Sequence, residues 1–221
     1  EKIYLTASGG PLLKIPKKKF NSLKVSQITN HPNWSMGKKI SVDSSTLMNK
    51  VFEVIEAKKI FNIKYDKISI LIHPKSYLHA LIKFNDGMIK LVAHDTTMEI
   101  PIFNTIYENG QKEFKSKKID LIKLNNLNLS NINEKKYPLI NVIKYLPSKD
   151  SLFETVLVSA NDYLVDLFLK RKINFLDISK MFLRVVFSKE FSKYKKISPK
   201  NLDEIVKLNK YVHLKINSIC I

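Results

Sequence analysis

The 221 residues predict an α/β fold: an α+β-like first domain with a mostly parallel sheet and a hairpin, followed by a C-terminal α-helical bundle. Three observations carry this. Short apolar runs alternate with helical periodicity over residues 1–110. Glycine stops at Gly110. After Tyr137-Pro138 the periodicity is helical to the end. Strands are expected at Lys2–Leu5, Lys39–Val42, Ile68–Ile72, His79–Phe84 and Met88–Val92, with Asn85-Asp86-Gly87 as a hairpin turn between the last two. Helices are expected over Ser45–Phe61 and Pro101–Tyr107. The Lys- and Asn-rich stretch 111–136 has a broken apolar pattern and reads as a linker over the surface. Four helices follow, at Leu139–Leu146, Leu152–Lys172, Asp177–Phe187 and Pro199–Ser218, the last with Ser198 as cap and Pro199 in its first turn. The expected domains are therefore residues 1–110 and 137–221, joined by 111–136.

The segment His31–Glu53 carries the chemistry. Ile40–Val42 reads as a buried strand, and Asp43 or Ser44 as the cap of the next helix. Leu47, Met48, Val51, Val54 and Ile55 then share one apolar stripe, while Asn49, Lys50 and Glu53 fall on the opposite face. Free N–H groups near Ser44 and the charge of Lys50 favour an anion, and Glu53 offers a hard oxygen ligand. An ordinary amphipathic helix with a solvated polar face is the plainer reading. The preceding loop His31-Pro32-Asn33-Trp34-Ser35-Met36-Gly37 suits a lid over a ligand, or a loop whose Trp tucks back into the core. Of the other histidines, His73 and His79 read as structural residues at strand ends, and His94 and His213 as surface residues without a partner. Asp162 and Asp166 read as a solvated helix face.

The formal net charge is +18, from 38 Lys and Arg against 20 Asp and Glu, which raises nucleic acid and anionic membranes as partners. Arg171 and Arg184 are the only arginines, and nucleic-acid readers lean on Arg for bidentate and stacked contacts. The expectation is no nucleic acid and no membrane. Cys220 is the one cysteine, which permits no intramolecular disulfide and fits a reducing compartment. No apolar run reaches bilayer length.

Ser8-Gly9-Gly10-Pro11, His31 to Met36, Asp43-Ser44, Met48-Asn49-Lys50 and Glu53 closely resemble 1-deoxy-D-xylulose 5-phosphate reductoisomerase in order and spacing. Leu71-Ile72-His73-Pro74 with Ser76 and His79, Asp86-Gly87, Met98 with Pro101-Ile102 and, more thinly, Ser159-Ala160-Asn161 and Phe175 to Ile178 extend the resemblance through the chain. It implies conversion of 1-deoxy-D-xylulose 5-phosphate to 2-C-methyl-D-erythritol 4-phosphate in non-mevalonate isoprenoid biosynthesis. It also implies NADPH, a divalent cation (Mg or Mn), a phosphorylated sugar substrate, a homodimer, and a bacterial cytoplasm or a plastid-type organelle. Carried over by motif, Ser8, His31, Ser44, Asn49, Lys50 and Glu53 bind substrate, with Glu53, Lys50 and His31 catalytic. Glu53 is also the metal ligand, Trp34 and Met36 form the lid, and Gly37 approaches the cofactor through its backbone.

The chain holds no Gly-x-Gly-x-x-Gly and lacks the family's Asp-x-Glu metal segment. It is expected to be the C-terminal part of a longer enzyme, or a truncated, non-catalytic relative. It departs from the family pattern at Val51 (Gly), Thr96-Thr97 (Pro-Asp), Glu99 (a basic residue), Val158 (Asn) and Asp162 (Glu). The bulk of Val51 is expected to need repacking and to tilt the site helix.

Overall fold

The computed structural model describes residues 2–34, 36–107 and 112–220. Ser35 of the lid motif, the 110/111 domain boundary and the Cys220 side chain lie outside the described residues.

The chain runs β1 (Lys2–Ala7), α1 (Val25–Thr29), α2 (Lys38–Thr46), α3 (Met48–Phe61), β2 (Ile68–Ile72), β3 (Leu78–Lys83), β4 (Ile89–Ala93), α4 (Glu99–Ile106), α5 (Leu121–Asn125) and β5 (Ser130–Asn131). A 3₁₀ segment at Pro138–Tyr145 leads into α6 (Leu152–Leu169), α7 (Phe175–Val186), α8 (Lys189–Ser192) and α9 (Leu202–Cys220).

The five strands form one sheet in the order β4-β3-β1-β2-β5. Only β1 and β2 pair in parallel, with α1 to α3 as the crossover between them; the other three pairings are antiparallel. The sheet is thus mixed rather than mostly parallel, because a hairpin supplies one edge and β5 the other. The expected turn is present: Gly87 sits at φ +88°, its N–H reaches the Phe84 carbonyl at 3.2 Å, and the Asp86 carboxylate accepts from Met88 N–H at 2.9 Å.

The principal correction is at Lys39–Val42. The apolar, β-branched run suggests a strand, yet these residues lie inside α2. Packing overrides propensity here: Ser41, Val42 and Ser45 are buried, and the serine hydroxyls fold back onto helix carbonyls, Ser41 onto Gly37 at 3.0 Å and Ser45 onto Ser41 at 2.9 Å. Asp43 and Ser44 consequently cap nothing. The helix breaks at Leu47, which takes a left-handed conformation at φ +61°, and α3 starts afresh at Met48. The expected stripe Leu47, Met48, Val51, Val54 and Ile55 is buried as read.

The stretch 111–136 is tied down more than a surface linker would be. It forms α5, and its β5 pairs with β2 through Leu71–Asn131 and Ile72–Ser130. The C-terminal helices follow the expected pattern, with Ser151 capping α6 through Phe153 N–H at 3.3 Å and Asn174 and Asp177 forming a capping box on α7. The first of them is a 3₁₀ segment. The last begins at Leu202 rather than Pro199. Asn201 accepts from Glu204 N–H at 3.0 Å, while the Ser198 hydroxyl donates to the Asp150 carbonyl at 3.1 Å. One core cluster joins α2, α3, the 3₁₀ segment, α6, α7 and α9, with Phe153, Phe182 and Phe191 fully buried in it.

Candidate active site

A cavity of about 510 Å³ opens where the C-terminal end of β1 meets the α2–α3 junction and the end of the β3–β4 hairpin. Ser8, His31, Trp34, Met36, Ser44, Asn49, Lys50 and Glu53 all line it, and so do Ser76, His79, His94, Met98 and Pro101. The polar face of α3 is therefore a cavity wall, not a solvated surface. Gly37 is the one expected site residue outside the lining. It is the N-cap of α2, and among the described residues nothing lies within 4 Å of where its Cβ would stand.

The floor is built by glycine. Gly10 lies at φ +64°, and a Cβ there would sit 2.7 Å from the Ser44 carbonyl oxygen, so only glycine lets β1's exit loop press against α2. Gly9 is held from behind by the Tyr137 hydroxyl, which donates to its carbonyl at 2.9 Å. Burial pushes the Tyr137 pKa up to about 12, so this donor keeps its proton.

Ser8 and His31 are oriented by their partners. Asn33 and Trp34 donate their backbone N–H groups to His31 Nδ1 at 3.2 and 3.1 Å. That nitrogen accepts, so the ring proton sits on Nε2, which donates to Ser8 Oγ at 3.1 Å. Gly10 N–H donates to the same oxygen at 3.1 Å. With both lone pairs engaged, the Ser8 hydroxyl proton is left to point at a ligand. Burial holds the His31 pKa below its usual value and keeps the ring neutral. Asn33 fastens the loop, donating to the Pro74 carbonyl at 2.7 Å and to Ser76 Oγ at 2.9 Å. Trp34 stands half-buried, its ring edge-on to His79 at 6.3 Å and 68°.

On α3, Lys50 Nζ lies 2.8 and 2.7 Å from the two carboxylate oxygens of Glu53. Among the described residues Asn49 Oδ1 is buried with no hydrogen-bond partner. An unsatisfied buried carbonyl oxygen beside a carboxylate suits a hydroxyl or a hard cation. Among the described residues no three His, Cys, Asp or Glu gather as a metal cluster, so Glu53 fits a divalent ion as one ligand, not as a whole site.

Three residues read as bystanders have definite partners. His94 is no isolated surface residue: its ring stacks on His79 at 3.6 Å. His213 stacks on Tyr163 at 4.5 Å. Asp162 joins Lys39 at 2.8 Å, and Lys39 also reaches the buried Asp43 at 2.8 Å, where Asn161 donates at 2.8 Å. Burial works against the Lys39 ammonium, but the two carboxylates together hold its pKa above normal. Burial also pushes the Asp43 pKa up, against the bonds from Asn161 and Lys39. The network straps α6 to the helix that carries Ser44. His73 is structural as expected: buried, it accepts from Tyr77 N–H at 3.0 Å and bonds the Leu127 carbonyl. Both histidines flank the Asp86-Gly87 hairpin turn, which is the sequence signal that could bring them together; the strand register itself pairs Ala80 with Val92 and Leu78 with Ala93.

Two of the departures from the family pattern have a definite place in the fold. Val51 is fully buried in an unbroken α3, and Thr97 Oγ1 accepts from Glu99 N–H at 3.2 Å at the start of α4.

A family model described as the 1-deoxy-D-xylulose 5-phosphate reductoisomerase C-terminal domain matches residues 1–61, and a second, the DXP reductoisomerase C-terminal domain, matches residues 95–214. The 1-deoxy-D-xylulose 5-phosphate reductoisomerase of Pelagibacter ubique is 57% identical over the whole chain, which spans 57% of that relative. The one from Persephonella marina is 40% identical over 93% of the chain, spanning 54% of the relative. A crystal structure of DOX-P reductoisomerase in complex with NADPH, fosmidomycin and magnesium superposes with a TM-score of 0.89 at 30% identity, covering 99% of this chain and 55% of that one. The Zymomonas mobilis enzyme in complex with NADPH gives 0.84 at 27% identity, covering 99% and 55%. The chain belongs to the 1-deoxy-D-xylulose 5-phosphate reductoisomerase family, and it spans little more than half the length of these relatives.

Proposed function

We propose that this chain is the catalytic portion of an enzyme that rearranges 1-deoxy-D-xylulose 5-phosphate and reduces the product with NADPH to 2-C-methyl-D-erythritol 4-phosphate. One observation carries the reading: Ser8, His31, Ser44, Asn49, Lys50 and Glu53, drawn from three separate segments, line a single cavity beneath Trp34 and Met36. A phosphorylated sugar fits its chemistry. The outward Ser8 proton, the Ser44 hydroxyl and the Lys50 ammonium are donors for an anionic end. Asn49 Oδ1 is a waiting acceptor for a hydroxyl. Glu53 would hold a divalent cation, Mg or Mn, together with oxygens beyond the described residues; when bound, that ion polarises the substrate's oxygens. Trp34 and Met36 exclude water, and the open backbone at Gly37 leaves room for NADPH.

We keep residues 1–110 as the catalytic part and 137–221 as the helical part, with 111–136 as a connection that adds β5 to the sheet, the two parts sharing one core. A homodimer is proposed on the outer strand β4, where Ile89, Leu91 and Val92 are exposed on an unpaired edge. Among the described residues no helix is long and apolar enough to cross a membrane, and the cytoplasm is the compartment we assign. The test is NADPH oxidation by a full-length protein carrying this chain, with 1-deoxy-D-xylulose 5-phosphate and Mn or Mg. Cation-dependent turnover is expected. Its absence in a folded, NADPH-binding protein favours the non-catalytic relative.

A further inference from the structure

His79 and His94 have no part in the anionic end or the metal ligand, yet both rings line the cavity. They stand on adjacent chains of the β3–β4 hairpin, His94 just beyond β4, where the register shifts between Leu78 and Ala80. The rings stack at 3.6 Å and 12°. Each commits one nitrogen to a backbone carbonyl: His94 Nδ1 donates to Asp95 O at 2.7 Å, and His79 Nε2 donates to His94 O at 3.3 Å. A nitrogen that donates carries the ring proton, so in a neutral ring the other nitrogen is an acceptor. Burial, then the neighbouring His94, push the His79 pKa down to about 4, and Lys50 adds to that effect. His79 therefore stays neutral.

The consequence is a division of the cavity by hydrogen-bonding sense. Lys50 only donates, and Ser8 presents its proton. The hydroxyls of a sugar also need acceptors. The committed partners leave His94 Nε2 and His79 Nδ1 as acceptors, on the wall that Trp34 meets edge-on.

We propose that His94 is a specificity-determining residue of this cavity, its Nε2 accepting a hydrogen bond from a hydroxyl of the substrate while its ring, stacked on His79, backs the lid residue Trp34. This rests on the sugar-phosphate reading above. A site built to bond a hydroxyl discriminates by the acceptor it would otherwise leave unpaired. In full-length enzyme, His94→Phe keeps a stacked ring and removes the acceptor, whereas His94→Gln keeps an acceptor and removes the ring. The expected result for His94→Phe is a KM for 1-deoxy-D-xylulose 5-phosphate raised about tenfold, with kcat changed by less than about twofold. His94→Gln should stay within about threefold of wild type in KM. If the Phe variant does not fold, His94→Ala takes its place, with the same rise expected over His94→Gln. A KM unchanged in the acceptor-free variant, or raised equally in both, overturns the assignment. Wild-type turnover in the same assay separates the two readings. An inactive wild type defeats the sugar-phosphate reading and this one with it, whereas an active wild type with a silent acceptor-free variant defeats this one alone.

Discussion

Lys50 and Glu53 hold each other at 2.7 Å, so a ligand must compete with that pair. The exchange is easy for a partly exposed pair and strong for an incoming phosphate or divalent ion, since paired surface charges contribute little on their own. Lys50→Ala should therefore weaken substrate binding by about 1.5–3 kcal/mol, read as KM or as a dissociation constant from titration. A change below about 0.5 kcal/mol would return Lys50 to the role of a solvated helix residue. Gly10 is as exacting at the backbone. A methyl group there meets the Ser44 carbonyl oxygen at 2.7 Å, and backbone cannot rotate aside. Gly10→Ala should cost about 1–3 kcal/mol of stability in a denaturant melt and raise KM by displacing Ser44. A variant as stable and as tight-binding as wild type would show that the contact is slack.

At the level of elements, β1 to β4 were readable because apolar runs stand between turn signals, and α6 and α7 because their helical period is long; the end of α6 at Leu169 rather than Lys172, the start of α7 at Phe175 rather than Asp177 and the short β5 were not. The helix at Lys38–Thr46 was not readable. Its preference is local strand and its determinants are distant: Asn161 on α6 bonds Asp43, and Asp162 reaches Lys39. The candidate site was legible mainly through the family resemblance that the His31–Glu53 motif carries. His94 stayed hidden because its partner lies across a hairpin, 15 residues away. The α2–α6 strap is testable by removing the neutral member. Asn161→Ala leaves the buried Asp43 carboxylate short of a donor and should cost about 1–3 kcal/mol in a thermal or denaturant melt. Stability within about 0.5 kcal/mol of wild type would mean that Lys39 alone satisfies Asp43.

Taken as a whole, the molecule holds His31, His73 and His79 neutral. Burial lowers the pKa of His31, His73 and His79 alike, the last to about 4. In the unfolded chain these rings take up a proton near the ordinary value of about 6.5, and in the fold they do so only at lower pH. Over that interval the unfolded state binds more protons, so stability rises with pH and is lost on acidification from about 6.5 toward 4. Urea melts across this range should show the loss, and His79→Gln should flatten part of it. An equal slope in the variant would remove His79 as a contributor.

The proposed chemistry of this cavity depends on the polar face of α3 gripping a metal-bound substrate, with Glu53 as the ligand it brings. Glu53→Gln keeps the shape and removes the charge. In full-length enzyme, turnover of 1-deoxy-D-xylulose 5-phosphate should be titrated with Mn and with Mg for both proteins. The half-saturating cation concentration should rise about tenfold or more in the variant, with NADPH binding unchanged. An identical cation requirement in wild type and variant would contradict it, and Glu53 would be no more than the counter-ion of Lys50.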